Sequence, residues 1–249
     1  MVDSTNRYAA DAARAGASEG LVVVAEEQTA GRGRLGRTWV APRGAALLCS
    51  ILLRPRLAPG DLHLVPTVVA LAAADAAGEV GGVAVALKWP NDLVAGDEKL
   101  GGILAEVVVS DPPGERAALV VGVGLNLEAS GVRARLAGTG PGVGAVAVTG
   151  LAELAGRAVD RDEVLTALLG SLRRRYGAGG IPARSTMEEY RRRCATIGRR
   201  VRVVMAQGTL TGTVLAVDDA GRLVLGVGGG RVVLTSADVV HLRDDPAAG

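Results

Sequence analysis

The sequence predicts an α+β protein, with a mixed sheet and helices over residues 1–198 and a small β-barrel over residues 199–249. Up to residue 198, short apolar runs typical of buried strands alternate with stretches of helical periodicity. Beyond it, short β-branched runs are separated by Gly- and Asp-rich turns, which is typical of a small barrel. We therefore place a domain boundary near Gly198. The short runs of the barrel are residues 201–204, 212–217, 222–225 and 232–234.

Five apolar runs predict the strands of the mixed sheet. Two of them contain glycines, at 101–102 and at 122 and 124, and a glycine in a strand lets another group lie flat against the sheet. We therefore expect a concave sheet floor with space for a planar ligand. The five runs are residues 21–25, 45–53, 83–87, 99–109 and 118–127.

Four stretches of helical periodicity accompany these strands. Ser, Thr and Asn at 4–6, taken alone, are typical of an N-cap for the first stretch. Gly78 is expected to end the second, Asp160 to open the third with an acidic first turn, and Thr186 to open the last with a capping box. Residues 129–150, rich in Gly, Pro and Ala, are predicted to be a loop. The four stretches are residues 8–15, 64–77, 160–176 and 186–198.

The composition is that of an ordinary globular protein with room for a large core. Hydrophobic residues make up 49% and charged residues 22% of its 249 residues. The formal net charge of +2 is too small to indicate a nucleic-acid partner over the whole surface. Most clusters of basic residues accompany helical patterns, where a solvated face is the simpler interpretation. The clusters are residues 32–37, 173–175, 191–193 and 199–202.

The cysteines and the hydropathy indicate the compartment. Cys49 and Cys194 stand far apart without metal-ligand or CxxC spacing, and we predict buried reduced thiols. No signal peptide opens the sequence, and no run of 18 apolar residues is expected to span a membrane. We expect a soluble, cytoplasmic protein.

One segment, residues 31–39, is dense in glycine and arginine. It reads Gly-Arg-Gly-Arg-Leu-Gly-Arg-Thr-Trp, so its backbone can adopt positive φ and its guanidinium groups suit phosphate or carboxylate. Because it has almost nothing apolar to bury, we predict a mobile loop that becomes ordered around an anion. The alternative from this segment alone is a basic surface turn, or a tract that binds RNA without sequence preference.

Two further polar groups lie beside predicted strands. Lys88-Trp-Pro-Asn-Asp92 follows one strand, and Lys99 begins the next. Lysines and arginines without a nucleophilic Cys or a Ser–His pair indicate phosphate chemistry on a nucleotide. The Gly/Arg segment is not a Walker A motif, because no GxxxxGK[ST] follows a strand. It is not a dinucleotide fingerprint either, because arginine occupies positions that should lie close to pyrophosphate.

Together these motifs resemble those of biotin–protein ligases. The resemblance covers nearly the whole chain, including the C-terminal part, which is similar to the SH3-like barrel of that family. Several independent motifs in the same order are far more specific than any one of them. The matching segments are residues 3–6, 31–37, 88–92, 99–104 and 122–126.

The resemblance implies a catalytic domain of the biotin/lipoate ligase type and a two-step reaction. Biotin's carboxylate attacks the α-phosphate of ATP to give biotinyl-5′-AMP and pyrophosphate, and a lysine of a biotin carboxyl carrier domain then attacks the mixed anhydride. The implied small molecules are ATP with Mg²⁺ and biotin, and the metal ligands are unknown. The carrier domain is the implied partner, nucleic acid and membrane are not, and a monomer or a homodimer would fit.

The resemblance also implies site residues, by position in the family's motifs. Arg34, Lys88 and Lys99 are the implied catalytic cations, and Asp92 is the residue that orients the incoming lysine. From the residues alone, Trp39 has the alternative of a core tryptophan and Asp92 that of a turn aspartate. The implied biotin-binding residues are Ser4, Thr5, Asn6, Gln28, Gly31, Arg32, Gly33, Arg34, Trp39, Lys99 and Gly102. The implied nucleotide-binding residues are Arg34, Arg37, Lys88, Asn91 and Asn126.

The sequence departs from the family pattern at two places. Family members often carry Ala where this chain has Gly101, a change expected only to loosen the strand. The chain also begins shortly before Ser4, where relatives have a strand, so we expect weak anchoring of residues 4–6 and no helix-turn-helix repressor function. The rival interpretations are a lipoate–protein ligase of the same fold and a non-catalytic RNA-binding module that uses the basic loop.

Overall fold

The computed structural model describes the chain in five segments and forms two antiparallel sheets, one of six strands and one of five. Val109 of a predicted strand, residues 138–146 of the predicted loop and residues 243–249 of the predicted barrel lie outside the described residues. The described segments are residues 1–108, 117–137, 147–177, 180–205 and 208–242.

The six-stranded sheet confirms the five predicted strands and adds one more, β4, which pairs with its neighbours directly after the Lys88–Asp92 motif. All neighbouring strands are antiparallel, in the order β1-β2-β6-β5-β4-β3. Parallel pairing occurs in isolated bridges, such as Val2 with Gln28. The strands are β1 (Val22–Ala25), β2 (Ala46–Leu53), β3 (Ala86–Lys88), β4 (Asp92–Ala95), β5 (Glu98–Val108) and β6 (Ala118–Asn126).

Helices cover both faces of this sheet. The alanines of the first helix pack with Val23, Leu52 and Val120 on one face, while the long second helix lies in the main core on the other. β2 is buried throughout, and its side chains alternate between these faces, with Cys49 and Ile51 on the main-core side. The helices are α1 (Thr5–Arg14), α2 (Leu64–Gly81), α3 (Ala129–Ala137), α4 (Leu151–Ala155), α5 (Arg161–Tyr176) and α6 (Ala183–Arg193).

The C-terminal sheet has the strand order β10-β9-β8-β7-β11 and its own buried apolar side chains, among them Val201, Val214 and Leu223. The boundary near Gly198 stays a prediction, because the two sheets are also joined: Trp89 Nε1 donates to Gly221 O at 2.9 Å. The strands are β7 (Arg200–Met205), β8 (Gly208–Val217), β9 (Leu223–Val227), β10 (Gly230–Leu234) and β11 (Asp238–His241).

The predicted boundaries of the second and the last helix were wrong. α2 continues past Gly78 to Gly81 and ends at Gly82, whose φ of +64° suits a glycine C-cap. The cost of glycine within a helix is offset here because α2 is buried along most of its length. The last helix begins at Ala183 and ends at Arg193, so Thr186 lies inside it and forms no capping box. The start of α5, where Asp160 accepts from the amides of Asp162 and Glu163, is confirmed.

The predicted loop over 129–150 was also wrong at its beginning, where α3 forms. The free amides at the start of α3 donate to Glu153 Oε1, from Ala129 at 2.8 Å and from Ser130 at 3.3 Å. A carboxylate more than twenty residues away thus supplies the cap that the local sequence lacks.

One segment of the described residues is long and apolar enough, by length and composition alone, to cross a membrane. Residues Pro59–Gly81 are long enough and have a mean hydropathy of 1.4. In the fold, 72% of that window is buried, as is usual for the core helix of a globular domain.

A half-buried ionic cluster joins α2, α5 and α6. Asp75 on α2 accepts from Ser171 and Arg175 on α5 and from Arg193 on α6, and Arg175 also donates to Glu189 at 2.7 Å. Burial by itself would raise the pKa of Asp75, but the hydrogen bonds from these partners outweigh it and hold the pKa below its ordinary value. The cluster therefore favours the packed helices only while the carboxylate is ionised.

We predict that Asp75→Asn lowers the free energy of unfolding at pH 7 by about 2 kcal/mol, because Arg175 and Arg193 lose their shared counterion. Since the folded-state pKa of Asp75 is depressed, its contribution is present above the unfolded pKa of about 4 and is lost as the pH falls through the folded value. Below pH 4 the free energy of unfolding in urea should therefore fall more steeply with decreasing pH for the wild type than for the variant. Asp11→Asn, which breaks an exposed pair with Arg14, is the control and should change little. Parallel pH profiles of Asp75→Asn and wild type would contradict the prediction.

Candidate active site

The predicted site residues lie on one face of the six-stranded sheet, above a patch of glycines. Gly102 on β5 is opposite Gly124 on β6, and Gly122 lies two residues before Gly124 on the same face. A Cβ atom on Gly122 would lie 2.2 Å from Asn6 Oδ1, and one on Gly124 would lie 2.6 Å from the ring of Trp39. The predicted floor is present, and the planar groups lying against it are the protein's own Asn6 amide and Trp39 indole.

Gly101 also differs from the expectation. A Cβ at this position would lie 2.7 Å from the carbonyl oxygen of Gly124 and 3.0 Å from a methyl group of Leu125. An alanine would therefore push against the backbone of the neighbouring strand rather than only loosen its own. In this chain the glycine is required by the close approach of β5 and β6.

Residues 4–6 form the start of α1 and are firmly held, contrary to the expectation. Thr29 N donates to Val2 O at 3.0 Å and Ala30 N donates to Asp3 O at 2.8 Å. Ser4 occupies the N-cap position, but its side chain makes no cap hydrogen bond. Instead Gln28 Oε1 accepts from the amide of Thr5 at 2.7 Å, so Gln28 satisfies a free donor at the helix start.

The Asn6 side chain connects this segment to the sheet and to the Gly/Arg segment. Its Nδ2 donates to Leu104 O at 3.1 Å and to Glu106 Oε2 at 2.7 Å, and its Oδ1 lies 2.6 Å from Ser50 Oγ. Glu106 Oε2 also accepts from Arg32 Nη2 at 2.7 Å. Glu106 thus places one arginine of the segment beside the N-terminal residues.

The Gly/Arg segment folds into a narrow tongue. Arg32 and Thr38 form an antiparallel bridge, Gly33 N donates to Arg37 O at 2.7 Å, and a short 3₁₀ turn forms the tip. A Cβ on Gly31 would lie 2.4 Å from the carbonyl oxygen of Trp39, so the base of the tongue closes only with glycine there. Leu35 at the tip has a φ of +56° and is exposed.

The other two arginines of the tongue contact the C-terminal sheet. Arg34 Nη2 donates to Ser236 Oγ at 2.6 Å, and its Nη1 lies 3.4 Å from Asn91 Oδ1. Arg37 forms an ion pair with Asp238 at the start of β11. The tongue therefore bridges the two sheets across the site.

Trp39 lies between the glycine floor and a lysine. The Lys99 ammonium sits 5.6 Å from the centre of the indole ring, in cation–π range. The indole Nε1 is buried and has no hydrogen-bond partner within the described residues. Trp39 is half-buried at the site and also packs against the apolar cluster that contains Ala41 and Leu48. Trp89 is buried at 3% exposure against the C-terminal sheet.

The Lys88–Asp92 motif forms the β3–β4 hairpin, with a cis peptide bond between Trp89 and Pro90. Asp92 is the first residue of β4 rather than a turn residue, and its Oδ1 accepts from Lys99 Nζ at 2.6 Å. Burial lowers the pKa of Lys88, and the positive charges of Lys99 and Arg37 lower it further, while the carboxylates of Asp92 and Asp97 oppose this shift. Burial likewise lowers the pKa of Arg34, with Asp92 opposing and Arg37 adding to it.

The four predicted cations thus share one electrostatic environment. The charge of Arg37 acts on both Arg34 and Lys88, and that of Lys99 acts on Lys88. The carboxylates among these cations are Asp92, Asp97 and, at the C-terminal sheet, Asp238. Like charges held close together are unfavourable unless an anion is added. The arrangement is suited to binding anionic groups such as phosphate and carboxylate.

Asn126 closes the floor at the end of β6. Its Nδ2 donates to Thr149 O at 3.1 Å, while its buried Oδ1 has no partner within the described residues. The two orphaned buried polar atoms of the described chain, Asn126 Oδ1 and Trp39 Nε1, therefore both belong to predicted site residues. Buried polar atoms are normally paired, so an orphaned acceptor and an orphaned donor point to a ligand or water.

Several residues of this site were missed from the sequence. Ser50 is the hydroxyl residue in the apolar run 46–53, and Glu106 is the charged residue in the apolar stretch 103–108. Each of these polar interruptions was an available signal. Ser236 and Asp238 lie some two hundred residues from the tongue, and nothing local marks them as its partners.

Comparisons with known proteins were made once this geometry was established. The family "Biotin/lipoate A/B protein ligase family" matches residues 1–126, and "Biotin protein ligase C terminal domain" matches residues 196–242. The chain is similar to the biotin–[acetyl-CoA-carboxylase] ligase of Mycobacterium tuberculosis, at 37% identity over 96% of this chain and 86% of that one. It is also similar to the enzyme of the same name from Paracoccus denitrificans, at 36% identity over 95% and 96% of the two chains.

Among solved structures, a biotin protein ligase from Aquifex aeolicus in complex with biotin and ATP is similar to this one. The TM-score is 0.75 and the identity 26%, over 98% of this chain and 96% of that one.

We predict that Gly124→Ala displaces the Trp39 ring and destabilises the protein by about 1–3 kcal/mol, because the new methyl group would overlap the indole. Gly102→Ala is the matched control on the opposite strand, since its Cβ would lie at an ordinary 3.4 Å from the same ring. The measurement is thermal unfolding together with tryptophan emission in a Trp89→Phe background. Equal effects of the two substitutions would show that the ring does not rest on Gly124.

Proposed function

The chain belongs to the biotin/lipoate A/B protein ligase family, and we propose that the residues gathered on its glycine floor carry out the two steps of biotin attachment. The protein is a ligase that attaches biotin to protein in an ATP-dependent reaction through biotinyl-5′-AMP. The observation that carries the assignment of roles is the group of three cations around Asp92, namely Arg34, Lys88 and Lys99, with Arg37 beside them.

We assign biotin to the part of the floor beside α1. Thr5 and Gln28 lie together there, with Ser4 beside them and Arg32 held over Asn6 by Glu106. This end would take the head group of biotin, and its pentanoate chain would run along Trp39 and Gly102 towards Lys99. Gly31 and Gly33 let the tongue backbone come close to it.

The adenylation step requires two anions to approach each other. Lys99 and Arg34 would neutralise the carboxylate of biotin and the α-phosphate, while Lys88 and Arg37 would balance the remaining phosphate charge. Their present partners are Asp92, Ser236 and Asp238, so binding exchanges these contacts for contacts with substrate. The tongue would then exclude water from the mixed anhydride, which hydrolyses readily.

The nucleotide base is assigned to the Asn126 end of the floor. The orphaned Oδ1 of Asn126 is an acceptor that suits an exocyclic amino group, and the orphaned Trp39 Nε1 is a donor. Asn91 is held by Ile103 O, to which its Nδ2 donates at 3.1 Å, and its oxygen faces Arg34. We propose that Asn91 keeps Arg34 directed at the phosphate.

In the second step we propose that Asp92 orients the carrier lysine. The amine must lose a proton before it attacks the anhydride, and a carboxylate within reach can accept a hydrogen bond from it. Asp92 now holds Lys99 at 2.6 Å, so once Lys99 turns to the anhydride oxygen its carboxylate is released for the incoming amine. The acceptor would be a biotin carboxyl carrier domain, and the reaction would take place in the cytoplasm without nucleic acid.

Magnesium would enter with ATP. Within the described residues, no three His, Cys, Asp or Glu side chains come together as a metal site. The ion would therefore be held largely by phosphate oxygens and water, as is common for Mg²⁺ with nucleotides. It supplies charge neutralisation on the phosphates.

The direct test is incubation with biotin, ATP, Mg²⁺ and a biotin carboxyl carrier domain, followed by intact-mass measurement of the carrier. We expect a mass increase of one biotinyl group, and none after the acceptor lysine is replaced by arginine. Modification by lipoate but not by biotin would overturn the assignment.

We predict that Lys99→Ala reduces biotin-dependent ATP–pyrophosphate exchange by at least about a thousandfold, because it removes the charge nearest the reacting carboxylate. Glu98→Ala, on the preceding residue of β5, is the control and should keep near-normal exchange. Circular dichroism of both variants checks that they are folded. An exchange rate for Lys99→Ala within about tenfold of wild type would refute the role.

We predict that Arg34→Gly releases biotinyl-AMP faster than wild type by about tenfold or more while unfolding at a similar temperature. The partners of Arg34 are the polar side chains of Asn91 and Ser236, so its replacement should act on retention of the adenylate more than on folding. Released adenylate is measured by labelling of a bystander protein. Arg56→Gly, at an exposed arginine outside the site, is the control. Wild-type release rates would contradict the prediction.

A further inference from the structure

A chain of four polar side chains lies beneath the biotin site proposed above. Gln28, Thr5, Ser50 and Asn6 follow one another, and the last three are almost fully buried, with Ser50 at 0% exposure. Their oxygen atoms lie 3.0 Å apart between Gln28 and Thr5, 2.7 Å between Thr5 and Ser50 and 2.6 Å between Ser50 and Asn6. Three oxygen–oxygen contacts need three protons if each is to be a hydrogen bond.

The two amides at the ends of this chain supply no proton to it. Asn6 uses the hydrogens of its Nδ2 on Leu104 O and Glu106, so the atom that faces Ser50 is its oxygen. Gln28 likewise turns its oxygen inward, because that atom accepts from the Thr5 amide at 2.7 Å. The hydroxyls of Thr5 and Ser50 bring one proton each, so one of the three contacts is left without a proton.

The geometry decides which contact that is. Among the four side chains, Ser50 Oγ is the donor that faces Asn6 Oδ1. Because a buried carbonyl oxygen without a donor is costly, Ser50 donates to Asn6. With the Ser50 proton used on Asn6, the 2.7 Å contact between the two hydroxyls is a hydrogen bond only if Thr5 donates, and we assign the Thr5 proton to this shorter contact rather than to the 3.0 Å contact with Gln28. This leaves Thr5 Oγ1 and Gln28 Oε1 facing each other as two acceptors. Such a pair repels until an N–H donor is placed within reach of both.

We propose that Ser50 is a specificity-determining positioning residue that acts through Thr5. By drawing the Thr5 proton towards itself, Ser50 leaves an acceptor pair that selects a head group with a ring N–H, as in a cyclic urea. A head group without such a donor, such as a dithiolane, leaves the pair unpaired. This inference rests on the proposed function, because it takes from it that the head group lies at Thr5 and Gln28.

The same proton count changes the role of Asn6. Its oxygen accepts from Ser50 and its nitrogen donates to Leu104 and Glu106, so both N–H groups of the amide are used within the protein. Asn6 therefore fixes the direction of the chain and the place of Glu106, and what its side chain still offers to biotin is the second lone pair of its oxygen.

The test is calorimetric binding of two ligands to wild type and Ser50→Ala. One ligand is biotin, and the other is 5-(tetrahydrothiophen-2-yl)pentanoic acid, which keeps the thioether ring and the acid chain but lacks the urea. We expect Ser50→Ala to weaken biotin binding about tenfold, because the Thr5 proton turns to Gln28 and the acceptor pair closes on itself. Binding of the urea-free acid should stay within about twofold. Equal losses for both ligands would overturn the proposal, since a merely structural defect would not distinguish them.

Ser50→Ala leaves Asn6 Oδ1 without a donor, and a second variant covers the case in which Ser50→Ala does not fold. Thr5→Val keeps the side-chain shape, removes the acceptor and should also weaken biotin alone. Where both fold, the double variant should bind biotin no more weakly than Thr5→Val, because Ser50 acts through Thr5. The proposal would be overturned if the double variant lost biotin affinity by the product of the two single losses. It would also be overturned if Thr5→Val weakened the binding of both ligands equally.

Cys49→Ala is the matched control. Cys49 is the neighbouring buried residue on β2, but its side chain belongs to the main core on the other face of the sheet. Both affinities should stay unchanged in this variant. Wild-type protein that binds no biotin would overturn the proposed function itself, whereas wild-type protein that binds biotin, with ligand-independent losses in the variants, would overturn this inference alone.

Discussion

The site depends on the absence of side chains at Gly122 and Gly124. Their positions leave the middle of β6 bare, so that the Asn6 amide and the Trp39 indole lie within the volume that a methyl group would need. α1 can therefore approach the sheet closely enough for Asn6 to meet Ser50 and Glu106, and the tongue can fold down over Lys99. A close-packed interior has no spare room for this approach, so the glycines set the geometry of all that lies above them.

On this floor the protein holds more positive than negative charge. Lys99 is paired with Asp92 and Arg37 with Asp238, while burial and neighbouring cations lower the pKa of Lys88 and Arg34. Such a cluster is unfavourable in the free protein and becomes favourable when phosphate and carboxylate enter. A site organised in this way is suited to a reaction whose difficulty is bringing two anions together.

The C-terminal sheet takes part in this arrangement. It meets the first domain through Trp89, whose indole donates to Gly221 O, and meets the tongue through Ser236 and Asp238. The motif that carries Asp92 and the segment that carries Arg34 are thus both fastened to the same small sheet. The small sheet therefore contributes to the geometry of the site without supplying a predicted catalytic residue, because its contacts fix where the tongue lies.

The sequence by itself determined the α+β class, five of the six strands of the catalytic sheet, and the motifs that supply the cations and the glycine floor, because hydrophobic period and residue type are local properties. It misplaced the ends of α2 and α6, and it missed β4 and α3, whose cap is Glu153. Only the tertiary structure decided the pairings of Arg32 with Glu106, Arg37 with Asp238 and Thr5 with Ser50. A hydrogen bond or ion pair requires atoms within about 3 Å, and for residues so distant in the chain only the packing of the whole fold sets that distance.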